Sequence, residues 1–149
     1  MLASEASATK QGGQELIGGL DVKVLRNRYG TQMQSFVGDL QLPFLEEEGK
    51  PFRGVFIRAP VVEEIITSGS TDKGPEEGDD EIAELKAKQR TEKVEVLGTY
   101  PKPQGTGEGE DIVAVRQGNV FGTSFHPELT DDVRIHEWWL RQVVGGLSR

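Results

Sequence analysis

The sequence contains no cysteine. That absence removes disulfides, thiolate metal ligands and a thiol nucleophile from these 149 residues. Long hydrophobic runs are missing too. Apolar residues make up 35%, and no stretch approaches the roughly 20 needed to span a bilayer, which excludes a membrane-spanning helix. The opening MLASEASATKQGG lacks the basic and apolar regions of a secretory signal. Positive charge is in the minority, with 17 Lys and Arg against 25 Asp and Glu. The net charge of −8 argues against a nucleic-acid binder, which needs a basic face. These absences together fit a cytosolic protein whose business is neither nucleic acid nor membrane.

What is present is a loop-rich chain with 19 glycines and 7 prolines, long enough for a single domain with its own core. Much of the acidity is local, since 72–84 (DKGPEEGDDEIAE) holds seven acids and one lysine. The wider stretch 68–93 reads as an acidic, low-complexity insertion in a domain that otherwise spans 1–149. Its second part, EIAELKAKQR, suits a solvated helix. Residues 1–10 read as a short helix from their helix formers. DVKVLRN (21–27) alternates as a strand, VGDLQLPFL (37–45) alternates weakly, and FRGVFIRAP (52–60) is a buried strand closed by Pro60. VVEEIIT (61–67) fits strand or helix. VEVLGTY, IVAVRQG and VFGTSF read as three further strands. The final helix, DVRIHEWWLRQVV, is expected to start at Thr130 and to pack on the sheet through Val133, Leu140 and Val144.

One stretch carries chemistry. In GTSFHPELTDD, Pro127 holds His126 out of the α region, and Glu128 follows one residue later, within reach of the same imidazole. A carboxylate on Nδ1–H fixes the tautomer and frees Nε2 as a base, the logic of a nucleophile–His–acid triad. By pattern alone a surface His-Pro turn, with Glu128 capping the next helix, is slightly favoured over it. Arg26 and Arg58 each close a strand, where guanidinium groups could hold a substrate carboxylate or merely be solvated. Two histidines without HxH or HxxxH spacing give no metal site, and GTGEGED lacks the strand–turn–helix context of a phosphate loop.

GGLDVKVLRNRYGTQMQSF, PFRGVFIRAP, VEVLG and IVAVRQGNVFGTSFHPELTDD, in that order and followed by the closing helix, resemble the glutaminase subunits of pyridoxal 5′-phosphate synthase. These are class I glutamine amidotransferases of vitamin B6 biosynthesis. The resemblance covers most of 12–142 outside the insertion, and RN-x-(Y/F)-G-x-Q with GVFIRAP and SFHPELT is far more specific than HPE alone. It implies a three-layer, flavodoxin-like α/β fold, no cofactor, and hydrolysis of L-glutamine to glutamate and ammonia. The ammonia would pass to a synthase (lyase) subunit as partner. It further implies His126 as base, Glu128 as its orienting acid, and Arg26, Ile57 and Arg58 around the glutamine.

The departure from the family is equally specific. Its members carry the cysteine of their Cys-His-Glu triad in a GTCAGL-type elbow, and MLASE resembles the helix after that elbow. By the resemblance, this chain starts about five residues past the cysteine, so the fold is expected to be incomplete, with N-terminal strands and a PGGES-type oxyanion segment missing. The expectation is a polypeptide without glutaminase activity on its own. Two alternatives stand beside it: a non-catalytic truncated isoform that binds the synthase partner, and another class I amidotransferase such as the histidine-pathway glutaminase.

Overall fold

The computed structural model describes residues 3–7, 18–26, 35–45, 49–66, 92–102 and 107–147. These form β1 (Ala3–Ser7), β2 (Leu20–Leu25), β3 (Ser35–Leu40), β4 (Phe52–Ile57), β5 (Val61–Ile65), β6 (Val94–Pro101), β7 (Glu110–Gln117), β8 (Val120–Thr123), a 3-10 turn at Pro127–Leu129 and helix α1 (Arg134–Leu147). All of the insertion except its last two residues lies outside the described residues. Among the described residues no helix is long and apolar enough to cross a membrane.

β7 organises the main sheet. Val113, Ala114 and Val115 are buried in succession, so both faces of this strand are covered, as expected of a continuous apolar run. β6 lies antiparallel along one edge of β7, from Val94 opposite Gln117 to Pro101 opposite Glu110. The other edge is shared. β5 meets it at Val62 opposite Ile112, and β8 folds back over Ala114–Gln117. The order is β1-β2-β5-β7-β6, with β1 parallel to β2 and the remaining pairs antiparallel. β3 and β4 form a separate antiparallel hairpin, with Ser35 opposite Ile57 and Leu40 opposite Phe52. The architecture is thus a sheet-dominated α/β fold.

The hairpin closes the main core. Phe36 and Phe56 face each other across it with stacked rings 4.6 Å apart, and Tyr100 of β6 lies against both. Gly38 is required there, because a Cβ would stand 2.6 Å from the Tyr100 hydroxyl. Leu40, Phe52, Phe56, Val61, Val113 and Phe125 fill the interior between hairpin and sheet. A buried amide locks the sheet's other end. Gln117 Oε1 accepts the Asp21 N–H at 2.7 Å, while Nε2 donates to Asp21 Oδ2 at 2.7 Å and to the Glu92 carbonyl at 2.9 Å. One side chain thereby fixes the start of β2 and the entry to β6 on the last residue of β7.

Three expectations need correction. Residues 3–7 form a strand and not a helix, because β2 offers an edge of unpaired backbone groups and pairing outweighs weak helix propensity. The inner face of α1 is also different. Ile135 is buried and Trp138 packs on Phe44 and Phe121, whereas Val133, Leu140 and Val144 are exposed. Both stripes are apolar, and the one carrying the large aromatic ring wins the sheet. Finally, the helix begins later than Thr130. Thr130 Oγ1 donates to the Pro127 carbonyl, and Asp132 Oδ1 accepts the Arg134 N–H at the helix start.

Candidate active site

β8 leads straight into the site. Thr123 Oγ1 donates to the Phe125 carbonyl at 2.9 Å, the Ser124 N–H reaches the Val113 carbonyl at 2.8 Å, and Phe125 is buried against Phe52 and Phe56. His126 is therefore the first residue to leave the core. Its extended backbone, φ −104° and ψ 91°, is the geometry that a following proline imposes. Its own N–H is held by the Val55 carbonyl at 2.8 Å, which attaches it to β4.

Pro127 then opens a single 3-10 turn, closed by Thr130 N–H on the Pro127 carbonyl. The turn brings Glu128 back over the imidazole, with Glu128 Oε1 2.7 Å from His126 Nδ1. Hydrogen bonding from His126, then from backbone, holds the Glu128 carboxyl below its usual range, so it is a carboxylate at neutral pH. A carboxylate only accepts, so the shared proton sits on Nδ1. In the neutral imidazole this arrangement places the lone pair on Nε2, and the His126–Glu128 pair is open to solvent, with side-chain exposures of 40% for His126 and 58% for Glu128. Thr123 is no substitute nucleophile, since its hydroxyl already donates to Phe125.

The other residues singled out by sequence fall into two groups. Ile57 and Arg58 stand at the end of β4, just beyond Val55, and are exposed. At about 3.3 Å per residue, Ile57 is some 7 Å along the strand from the carbonyl that holds His126. Arg58 has φ +48°, the left-handed region that a bulky residue rarely enters, which is the kind of outlier found where a site over-determines the backbone. Arg26 follows β2, whose Leu25 pairs with Val61, so Arg26 lies at the sheet end that Ala59 and Pro60 approach. A cleft of about 280 Å³ opens between β5 and β7, with Leu25 and Val61 in its wall. His126 and Glu128 do not line it. The sequence reading missed Asp132 and Arg134. Their Asp-x-Arg spacing at a helix start was the available signal.

Residues 2–145 match the SNO glutamine amidotransferase family. Among curated proteins, the Arabidopsis thaliana "probable pyridoxal 5′-phosphate synthase subunit PDX2" is 40% identical over 94% of this chain and 52% of its own length. The pyridoxal 5′-phosphate synthase subunit PdxT of Kosmotoga olearia is 39% identical over 89% of this chain and 50% of its own. A crystal structure of a glutamine amidotransferase superposes with a TM-score of 0.62 at 34% identity, covering 96% of this chain and 55% of that one. The chain spans about half the length of the curated relatives it matches.

Proposed function

Since this chain belongs to the SNO glutamine amidotransferase family, we propose that it carries the base-bearing part of a glutaminase subunit of pyridoxal 5′-phosphate synthase. The reaction is hydrolysis of L-glutamine to L-glutamate and ammonia, with the ammonia delivered to a synthase subunit. The observation that supports this reading is the 2.7 Å contact between His126 Nδ1 and Glu128 Oε1. It orients Nε2 to take a proton from a thiol and later to return one to the departing ammonia. Arg26 and Arg58 supply positive charge for the glutamine α-carboxylate, and Ile57 an apolar wall beside it. The thiol itself is not among these 149 residues. Glutaminase chemistry by thioester formation therefore needs a cysteine from elsewhere.

The absence of cysteine also favours a second reading, in which the polypeptide is non-catalytic and acts by binding the synthase subunit. One experiment separates the two. This chain is joined to an elbow-bearing segment of the family and ammonia release from L-glutamine is measured. Release by the joined domain supports the first reading. No release from a folded joined domain that still binds the synthase subunit supports the second.

A further inference from the structure

The turn that carries His126 and Glu128 is short and exposed, and one 3-10 turn is a poor device for holding two side chains in register. Its near end is fixed by the His126 N–H on the Val55 carbonyl of β4. Beyond the turn, the start of α1 is tied by a side chain to the residues that precede the same strand. Arg134 Nη1 donates to the Lys50 carbonyl at 3.2 Å and Nη2 to the Pro51 carbonyl at 3.0 Å, immediately before β4 begins. The guanidinium is held in orientation by Asp132, which accepts Nε at 2.9 and 3.1 Å and Nη2 at 2.6 Å, and it lies 6.0 Å from the Phe52 ring centroid. The ion pair is partly buried, with side-chain exposures of 14% and 23% for its two members.

We propose that Arg134 is a positioning residue for the His126–Glu128 pair: it clasps the two residues before β4 and so anchors the start of α1, just beyond the turn whose near end hangs from Val55. β4 and the two residues before it then hold the chain on either side of the turn, and Ile57 and Arg58 follow at the strand's other end. Only a fork can serve this role. Lysine presents a single point charge and cannot hold two carbonyls and a carboxylate edge together. The proposal rests on the reading of His126 and Glu128 as a pair, and its test needs no glutamine turnover.

The chain has two histidines, His126 and His136, so ring nitrogen-15 spectra of the histidine-labelled protein give one signal set for the site and one internal reference. In the wild type His126 carries its proton on Nδ1, and Glu128→Ala releases that preference. Arg134→Ala is expected to move the His126 tautomer ratio toward that of Glu128→Ala by about tenfold, the worth of one hydrogen bond to a charged group. The His136 signals and the far-ultraviolet circular dichroism stay as in wild type. Arg134→Lys is expected to do nearly the same, and it decides the question by the same criterion if Arg134→Ala fails to fold. A ratio within twofold of wild type in the folded Arg134 variants, with Glu128→Ala still effective, overturns the positioning role alone. An unchanged ratio in Glu128→Ala overturns the pair and the positioning role together.

Discussion

The backbone N–H of His126 donates to the carbonyl of Val55 at 2.8 Å, so the proposed base hangs from the strand that ends at Ile57, next to Arg58. The proposed base and the proposed glutamine-facing residues come from segments some seventy residues apart in sequence, yet they share one ruler. Whatever displaces β4 therefore disturbs the site as well as the core.

Gly54 tests that coupling. A Cβ there would stand 2.7 Å from Leu40 Cδ1, 3.2 Å from Phe56 Cε2 and 3.3 Å from Phe125 Cγ, all within the packed interior. Gly54→Ala is expected to cost about 1–3 kcal/mol by overpacking, read from urea unfolding. Because Phe125 precedes His126, the His126 amide resonance should shift with it. An unchanged unfolding midpoint would show that the hairpin can yield at this point.

Gln117 is buried with both ends of its amide in use. Replacing it by Met keeps the volume but strands the Asp21 N–H and the Glu92 carbonyl. We expect a loss of about 1–3 kcal/mol, the cost of unsatisfied buried groups. Denaturant titration at constant m-value measures it, and a neutral result would mean that water replaces the amide.

The two apolar stripes of α1 should respond in opposite ways. Ile135 is 2% exposed, and Ile135→Ala is expected to cost roughly 2–5 kcal/mol. Leu140 and Val144 are 62% and 60% exposed, and Leu140→Glu is expected to stay within about 0.5 kcal/mol of wild type. Thermal unfolding of the pair distinguishes the observed face from the reverse one.

The His126–Glu128 contact also sets a pH dependence. The Glu128 carboxyl is held below its usual range, so its stabilising contribution is fully present above the pKa of an unfolded glutamate and is lost as pH falls through the lowered folded value. Carbon-13 titration of the carboxyl should show this lowered midpoint, and His126→Ala should raise it. Asp132, lowered first by the Arg134 hydrogen bond, should rise likewise in Arg134→Ala. A Glu128 midpoint indifferent to His126 would contradict the pairing.

Much of this was readable in the sequence where the cause is local. Pro127 constrains His126 directly, and the Val-rich runs of β2, β4 and β7 announce themselves by pattern. What was not readable depends on long-range partners. The start of the chain has helix-forming residues but meets the edge of β2, and α1 carries two apolar stripes between which long-range partners such as Phe44 and Phe121 choose. Arg134 looks like any helix-start arginine until Lys50 and Pro51 arrive from more than eighty residues away.

The most direct measurement is kcat for ammonia release from L-glutamine by this chain joined to the family's elbow-bearing segment, with and without His126→Gln, beside the 149 residues alone. The account predicts no release from the chain alone, release from the joined domain, and a fall of about 10²–10⁴-fold on His126→Gln, the worth of a positioned general base. Hydrolysis by the chain alone, or an undiminished kcat after His126→Gln, would contradict it.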